Sequence, residues 1–447
     1  MVGKDRAYAI LDAALAASLA DMTEAVLLGV SDGLTRFANS EIHQNVVVED
    51  AALTVRAILG SREGRATTNE LDPDSVARAV ARAAEIASMQ PDNPEFPGLP
   101  EPSAYQDTGG FDQRTATCSP VERARRAGMA IAMADSIGAS ASGSLRTRVR
   151  EIAVANSNGV YAWTAGTDAT FVTVVMGKTG SGYAIGASGR LDALDLEEMG
   201  RRAVDKCISS EAPGDLEPGE YVAILEPPAV ATMLEMLAYM GINGAAYLEG
   251  RSYASGRMGQ PVTSPMISIE DDGLDPDSVP IPFDFEGVPR RPVRIIDQGV
   301  VSGMVFDRMA AKRAGAEPTG HALPGSALRG GFPLHLRLAP GDSSVEKMIQ
   351  STDRGVLVTR FNYANPIHPQ KTVFTGMTRD GTFLVEGGRI TRPLRNLRFT
   401  DSILGGVLAH TDLISRDTAL IPVLDSQGFY KVPALRTTKL NFTGATA

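Results

Sequence analysis

The residues able to do chemistry in this chain are five histidines, two cysteines and a few clustered carboxylates. The histidines are His43, His321, His335, His368 and His410. No two lie within five residues, so no helix can present a pair at i, i+4 to a metal, and no HExxH motif exists. Cys118 and Cys207 form no CxxC and no disulfide framework. The chain also lacks a GxSxG nucleophile elbow and a GxxxxGK[ST] phosphate loop. Gly180-Ser181-Gly182 and Gly186-Ala187-Ser188-Gly189 are glycine-rich but sit in strand-like sequence, where turns or bulges account for them. Two acidic groups remain, Glu270-Asp271-Asp272-Gly273 and Asp284-Phe285-Glu286-Gly287. They could serve acid–base work or a hard cation. The plainer reading is loop carboxylates that accept backbone N–H groups or pair with Arg290 and Arg291. Thr319-Gly320-His321 is a turn carrying the best lone histidine for a polar contact in a cleft, and a satisfied or surface histidine is the plainer alternative.

The elements around these residues are mixed. Lys4 and Arg6 precede an alanine-rich stretch in which Tyr8, Leu11, Leu15 and Leu19 recur at helical spacing, so an amphipathic first helix is expected rather than a signal peptide. Residues 23–69 read as strands, with a turn at Asp32-Gly33 and separate strands at Val46-Val47-Val48 and Leu53-Thr54-Val55. Asp72 caps a helix with Pro73 at its first position and Val76, Val80, Ala83 and Ile86 as its buried stripe. Residues 90–110, rich in proline, read as an irregular connection over the surface. Ser119-Pro120-Val121-Glu122 and Asp195 with Glu198 are capping boxes opening two further helices. Asn158-Gly159 predicts a tight hairpin. Residues 208–219 read as a boundary. A strand over Tyr221–Leu225 and a helix over Pro228–Met240, with Val230, Met233, Leu234 and Leu237 on its apolar face, open the second half, followed by short strands broken by Gly and Pro. The expected fold class is α+β, two mixed domains with antiparallel-rich sheets and flanking helices, divided as 1–215 and 216–447.

Bulk properties exclude some functions. A net charge of -10 over 447 residues disfavours nucleic acid as the main ligand. The densest basic run, Arg123, Arg125 and Arg126, reads as a solvated helix face. No stretch of about 18 apolar residues is available to span a membrane. Cysteine usage fits a reducing cytoplasm.

Several stretches together resemble the TldD/TldE (PmbA) family, named for peptidase complexes and also described as modulators of DNA gyrase. They are Thr35-Arg36-Phe37-Ala38-Asn39-Ser40-Glu41-Ile42-His43-Gln44, Gly64-Arg65-Ala66-Thr67-Thr68-Asn69, Leu248-Glu249-Gly250-Arg251-Ser252, Gly256-Arg257-Met258-Gly259-Gln260, Ile269-Glu270-Asp271-Asp272-Gly273, Phe283-Asp284-Phe285-Glu286-Gly287-Val288-Pro289, the Ile296 to Val300 segment and Thr319-Gly320-His321. In the TldD type, an HExxxH helix directly precedes the LEG-like segment, and a cysteine near the C-terminus adds a zinc ligand. Anchored on Leu248-Glu249-Gly250, those motif positions fall on Gly241, Ile242 and Ala246. None carries a metal-donor atom or a group able to act as general base. Residues 226–260 hold no histidine, and Val423-Leu424-Asp425-Ser426-Gln427-Gly428 holds no cysteine. The chain is therefore similar to the TldE/PmbA type, the metal-free member of the pair.

The resemblance implies a subunit with no cofactor of its own that forms a heterodimer with a zinc-bearing TldD-type chain. It would shape the chamber and bind unfolded peptide through a sheet edge. Arg36, Asn39, Glu249, Arg251, Ser252, Asp284, Glu286 and His321 are the candidate peptide-binding or chamber-lining residues. Local ion pairs, Arg36 with Glu41 and Glu249 with a neighbour, are the plainer alternatives. Two other readings stay open. One is a stand-alone hydrolase with a relocated site around His321, Asp284 and Glu286; the other is a homodimeric peptide-binding protein without catalysis.

Overall fold

The computed structural model describes residues 1–325, 330–424 and 427–445. Asp425 and Ser426 of the C-terminal segment named above lie outside them. Among the described residues there are two sheets. The first orders its strands β3-β2-β1-β4-β5-β6: β1 (Met22–Ala38), β2 (Glu41–Leu59), β3 (Arg62–Thr68), β4 (Ser140–Asn156), β5 (Tyr161–Met176) and β6 (Ser181–Ser188), every neighbour antiparallel. One face is covered by α1 (Lys4–Ala16), α2 (Pro73–Met89), α4 (Pro120–Asp135) and α5 (Leu196–Ser209), with the short α3 (Gln113–Ala116) beside β4 and β5. The other face turns towards the second lobe.

Local chemistry sets the helix starts. The side chains of Asp72, Ser119 and Asp195 each accept the N–H three residues on, and proline occupies the first turn of α2 and α4. The Asn158-Gly159 turn joins β4 to β5, with Asn156 Oδ1 accepting the N–H groups of Asn158 and Val160 at 2.9 and 3.1 Å. Asn39 and Ser40, with φ of 50° and 63°, form the two-residue turn between β1 and β2.

Several expectations are corrected. Asp32-Gly33 is no turn but the middle of β1, and Val46–Val48 and Leu53–Val55 belong to one 19-residue strand. Gly33 serves Arg123, whose guanidinium fills the place a side chain there would need. That arginine is 1% exposed and donates to the carbonyls of Cys118 and Val46 at 2.8 and 3.3 Å, so it does not belong to the solvated face that Arg125 and Arg126 form with Glu122. Gly180 lies in the expected turn, which joins β5 to β6 and is closed by Gly177 N–H donating to Gly180 O at 2.9 Å, but Gly182 is inside β6, where a methyl group would strike the carbonyl of Ala203 in α5. Gly64 makes the same close approach for α2. Leu19, 98% exposed, lies past the end of α1, which buries Leu11 from the expected stripe together with Ile10. The 90–110 segment is irregular, yet it straps the second lobe rather than crossing open surface. Leu99 is buried, Tyr105 packs at a tilt against Phe283 with centroids 5.0 Å apart, and Lys312 donates to Phe96 O at 2.7 Å.

The second sheet runs β10-β9-β8-β11-β17-β15-β13-β12-β7, formed by β7 (Gly219–Leu225), β8 (Ile269–Asp271), β9 (Val293–Asp297), β10 (Val300–Val301), β11 (Leu336–Leu338), β12 (Arg354–His368), β13 (Val373–Glu386), β15 (Leu397–Ser402) and β17 (Gly428–Ala445). Strand β14 (Arg389–Pro393) pairs with β13 and β16 (Thr411–Val423) with β17. Four of these strands exceed ten residues, so the expected run of short strands fails: Gly376 and Gly381 lie inside a continuous β13. Because β17 also pairs with β7, strands β7, β12, β13, β15 and β17 close a ring. Helix α6 (Pro227–Gly241) is packed against it, with Val230, Met233, Leu234 and Leu237 all 0% exposed. Helices α7 (Gly244–Leu248), α8 (Arg308–Ala314) and α9 (Val345–Gln350) are short. Among the described residues no helix is long and apolar enough to cross a membrane.

Candidate functional site

Helix α6 stops at Gly241, and Ile242 and Asn243 leave the helical conformation before α7 begins, so Gly241 ends one helix, Ile242 lies in the link and Ala246 is on the next helix. Ile242 is fully buried and Ala246 nearly so. Asn243 caps α7 by accepting Ala246 N at 2.9 Å. Ser252, 2% exposed, donates its hydroxyl to Gly241 O at 2.7 Å, and a β-carbon on Gly241 would sit 2.6 Å from that oxygen. The direction a side chain would take from Gly241 is thus already filled.

Beyond this point, the inner face of the first sheet meets the second lobe. Val26, Ile152 and Val154 pack on Ile281 and Phe283. On either side of that contact lies a cavity, of about 380 Å³ towards β3 and about 720 Å³ towards β4, and both are lined by Leu28, Phe285, Leu323 and Pro324. Residues two apart on a strand share a face, so β1, β2 and β3 aim Glu24, Arg56, Glu63 and Arg65 into the smaller cavity. Arg56, 5% exposed, holds Glu24 at 2.8 Å and reaches Glu63 and Glu286 at 3.4 Å each. Burial pushes Glu286 up to about 7; Arg56 opposes this, while Asp284, Glu24 and Asp307 reinforce it. Burial lowers Arg65, and its neighbour Arg56 adds to that.

The remaining sequence candidates are placed as follows. Asp284 accepts the N–H groups of Glu286, Val288 and Ala322 at 2.9, 3.0 and 2.9 Å, and burial raises it despite those bonds. His321 is fully buried; Nε2 meets Asp271 Oδ1 at 2.8 Å and Nδ1 meets Thr319 O at 2.8 Å. Burial alone would raise Asp271, but His321, His335 and Arg290 outweigh it and hold the carboxyl at about 2. His335, driven to about 3 by burial and by Arg290, contacts Val279 O at 3.0 Å and Arg290 at 3.4 Å. Glu270 and Asp272 pair with Arg337 rather than with Arg290 or Arg291. Glu249 and Arg251 are exposed and paired with each other, and Ser252 lies behind them. Arg36 is exposed at the far end of β1, and among the described residues no ion pair joins it to Glu41. The structure therefore brings Asp284, Glu286 and His321 into one region, and separates them from Arg36, Asn39, Glu249 and Arg251.

Sequence reasoning missed Glu24, Arg56, Arg148 and Arg150. The signal present was charge at every second position of a strand, as in Arg146-x-Arg148-x-Arg150, which marks one face as polar.

Family models for PmbA/TldA metallopeptidase match the chain as domain 1 over residues 24–87, the central domain over 117–211 and the C-terminal domain over 218–444. The chain belongs to the PmbA/TldD metallopeptidase family. It is 25% identical over 240 residues to the zinc metalloprotease TldD homolog of Saccharolobus solfataricus, covering 51% of each chain. It is 24% identical over 368 residues to metalloprotease PmbA of Escherichia coli O157:H7, covering 79% of this chain and 78% of that one. The chain spans about half the length of the first curated relatives it matches. In fold it is similar to TldE from Thermococcus kodakarensis, with a TM-score of 0.89 at 22% identity over 98% of this chain and 99% of the other.

The zinc in the name of the Saccharolobus relative finds no fitting ligands at Gly241, Ile242 and Ala246. Their side chains bring no donor atom, and Ser252 fills the space beside Gly241. The buried His321 and His335 have both ring nitrogens engaged. Among the described residues no group of three or more His, Cys, Asp and Glu side chains is arranged to hold a metal ion.

Proposed function

We propose that this chain is the TldE-type subunit of a two-chain metallopeptidase. It joins a zinc-bearing TldD-type chain, supplies part of the chamber wall and holds unfolded peptide between its lobes, residues 1–215 and 216–447. The observation that carries the reading is Ser252 seated on Gly241, which packs the motif position as core instead of leaving it open for a ligand. Two further features support peptide binding. The cavities on either side of Phe285 share lining residues, as an extended ligand requires. Strand β2 pairs with β3 only from Leu53 onward, so among the described residues Glu41–Ala52 offers a free edge to an incoming strand. Arg36, Asn39, Glu249 and Arg251 are assigned to the partner-facing or chamber-facing surface, and Glu286 to the cleft. The free thiols of Cys118 and Cys207 support a reducing cytoplasm.

The test is direct. Metal analysis of the purified chain is expected to find no stoichiometric zinc. Peptide cleavage is expected only after mixing with a TldD-type chain, and to be chelator-sensitive then. Chelator-sensitive cleavage by the pure chain would sink the proposal, and sedimentation of the pure chain reports whether it also pairs with itself.

A further inference from the structure

Strand β4 directs Arg146, Arg148 and Arg150 to the face that meets the second lobe. Arg146 has its own carboxylate, Asp32, with Nε 2.8 Å from Oδ1. Arg148 and Arg150 instead share one, reaching Asp168 on β5 at 3.0 and 3.3 Å, and that aspartate is fully buried. Arg150 makes one further, long approach, 3.4 Å from Nη1 to Gln427 O, and lies 5.4 Å over the ring of Phe429. Among the described residues no hydrogen-bond partner meets its buried Nη2. A buried cationic donor left unpaired is costly, so a site that retains one calls for a group to meet it.

Arg150 lines the 720 Å³ groove, whose other walls are largely apolar: Leu28, Ile152, Ile281, Phe285, Leu334 and Leu424. Two acids also line it, and both are engaged. Glu151 accepts the N–H groups of Val2 and Gly3 at 2.6 and 2.9 Å, and Asp50 accepts Ala51 N at 2.9 Å. Burial lowers Arg150 to about 10, with Asp168 opposing, which still leaves it a cation at neutral pH.

We infer that this groove is a subsite for a carboxylate borne next to an apolar side chain, the chemistry of a peptide's free C-terminal end, with Arg150 as the anchor. A guanidinium fork matches a carboxylate in two parallel hydrogen bonds, and the apolar walls take the last side chain. The inference rests on the peptide-binding reading above, to which it adds a polarity and an end.

Titration calorimetry of the full chain, with no partner, tests it. The probes are N-acetyl-Ala-Leu-Phe as free acid and as C-terminal amide. The acid is expected to bind about tenfold or more tightly than the amide. Arg150→Gln is expected to bring the acid to the affinity of the amide and leave the amide unchanged, with melting temperature and circular dichroism checking its fold. Equal affinities in the unaltered chain, a preference that survives Arg150→Gln, or no binding of either probe overturns the inference, and the first and last of these need no variant. Partner-dependent cleavage without acid preference removes only this inference. Acid preference without partner-dependent cleavage removes only the subunit reading.

Discussion

Ser252 Oγ donates to Gly241 O across 2.7 Å, tying the loop after α7 to the last residue of α6. Alanine normally improves a helix over glycine by up to about 1 kcal/mol. Here its methyl group would overlap Ser252, and overpacking of this kind costs about 1–3 kcal/mol. Gly241→Ala should therefore lower the denaturant midpoint, and adding Ser252→Gly should restore part of the loss. A neutral Gly241→Ala would mean that this contact yields.

The Asp271 cluster governs acid stability. Its carboxyl is held at about 2 in the folded chain, against an unfolded value near ~4. A depressed carboxyl contributes stability that is fully present above ~4 and lost as pH falls towards 2, here roughly 2–3 kcal/mol. Asp271→Asn should cost about 3–5 kcal/mol at neutral pH, since it leaves Arg290 and His321 without their anion. It should also flatten the stability curve between pH 4 and 2, measurable by urea unfolding.

Glu286 has the opposite sign. A carboxyl raised to about 7 favours folding most when protonated, below an unfolded value of ~4.3, and that advantage is lost as pH rises through 7. The groups facing it are Arg56, Asp284, Glu24, Glu63, Arg65 and Asp307. Glu286→Gln should remove the slope, so that stability relative to the unaltered chain shifts in its favour by about 1–3 kcal/mol from pH 4.5 to 8. Melting temperatures across that range check it, and parallel curves for the two proteins would reject it.

Gly182 is a packing position rather than a flexible one. Gly182→Ala should cost about 1–3 kcal/mol, because the added methyl group meets the backbone of α5, which cannot rotate aside as a side chain can. The same change at Gly128, which has open space around it, should be neutral or mildly stabilising. Thermal unfolding of the pair separates the two cases.

Features decided within four or five residues were legible in the sequence. Asp72, Ser119 and Asp195 cap the helices they announce, and Asn158-Gly159 turns the hairpin it announces. Features decided by distant partners were not. Asp32-Gly33 has turn composition, yet the glycine makes room for a guanidinium 90 positions away, at Arg123, inside a continuous strand. Arg56 finds Glu286 across 230 positions, and no local pattern encodes that meeting. The candidate site divides in the same way. The missing donors at Gly241, Ile242 and Ala246 can be read from residue types alone. That Ser252, eleven positions on, fills the space beside Gly241 requires the folded chain.

The ring of strands in the second lobe has a consequence for synthesis. Its first member, β7, pairs in parallel with β12 more than 130 residues later and antiparallel with β17 at the far end of the lobe. The first lobe completes its sheet with β6 by Ser188 and can close early, as the chain emerges. The second lobe keeps bare strand edges until its last strand arrives, and such edges template intermolecular pairing. The β7–β17 seam can thus form only once both ends of the lobe have been synthesised, so loss of β17 would reopen the lobe rather than merely shorten it.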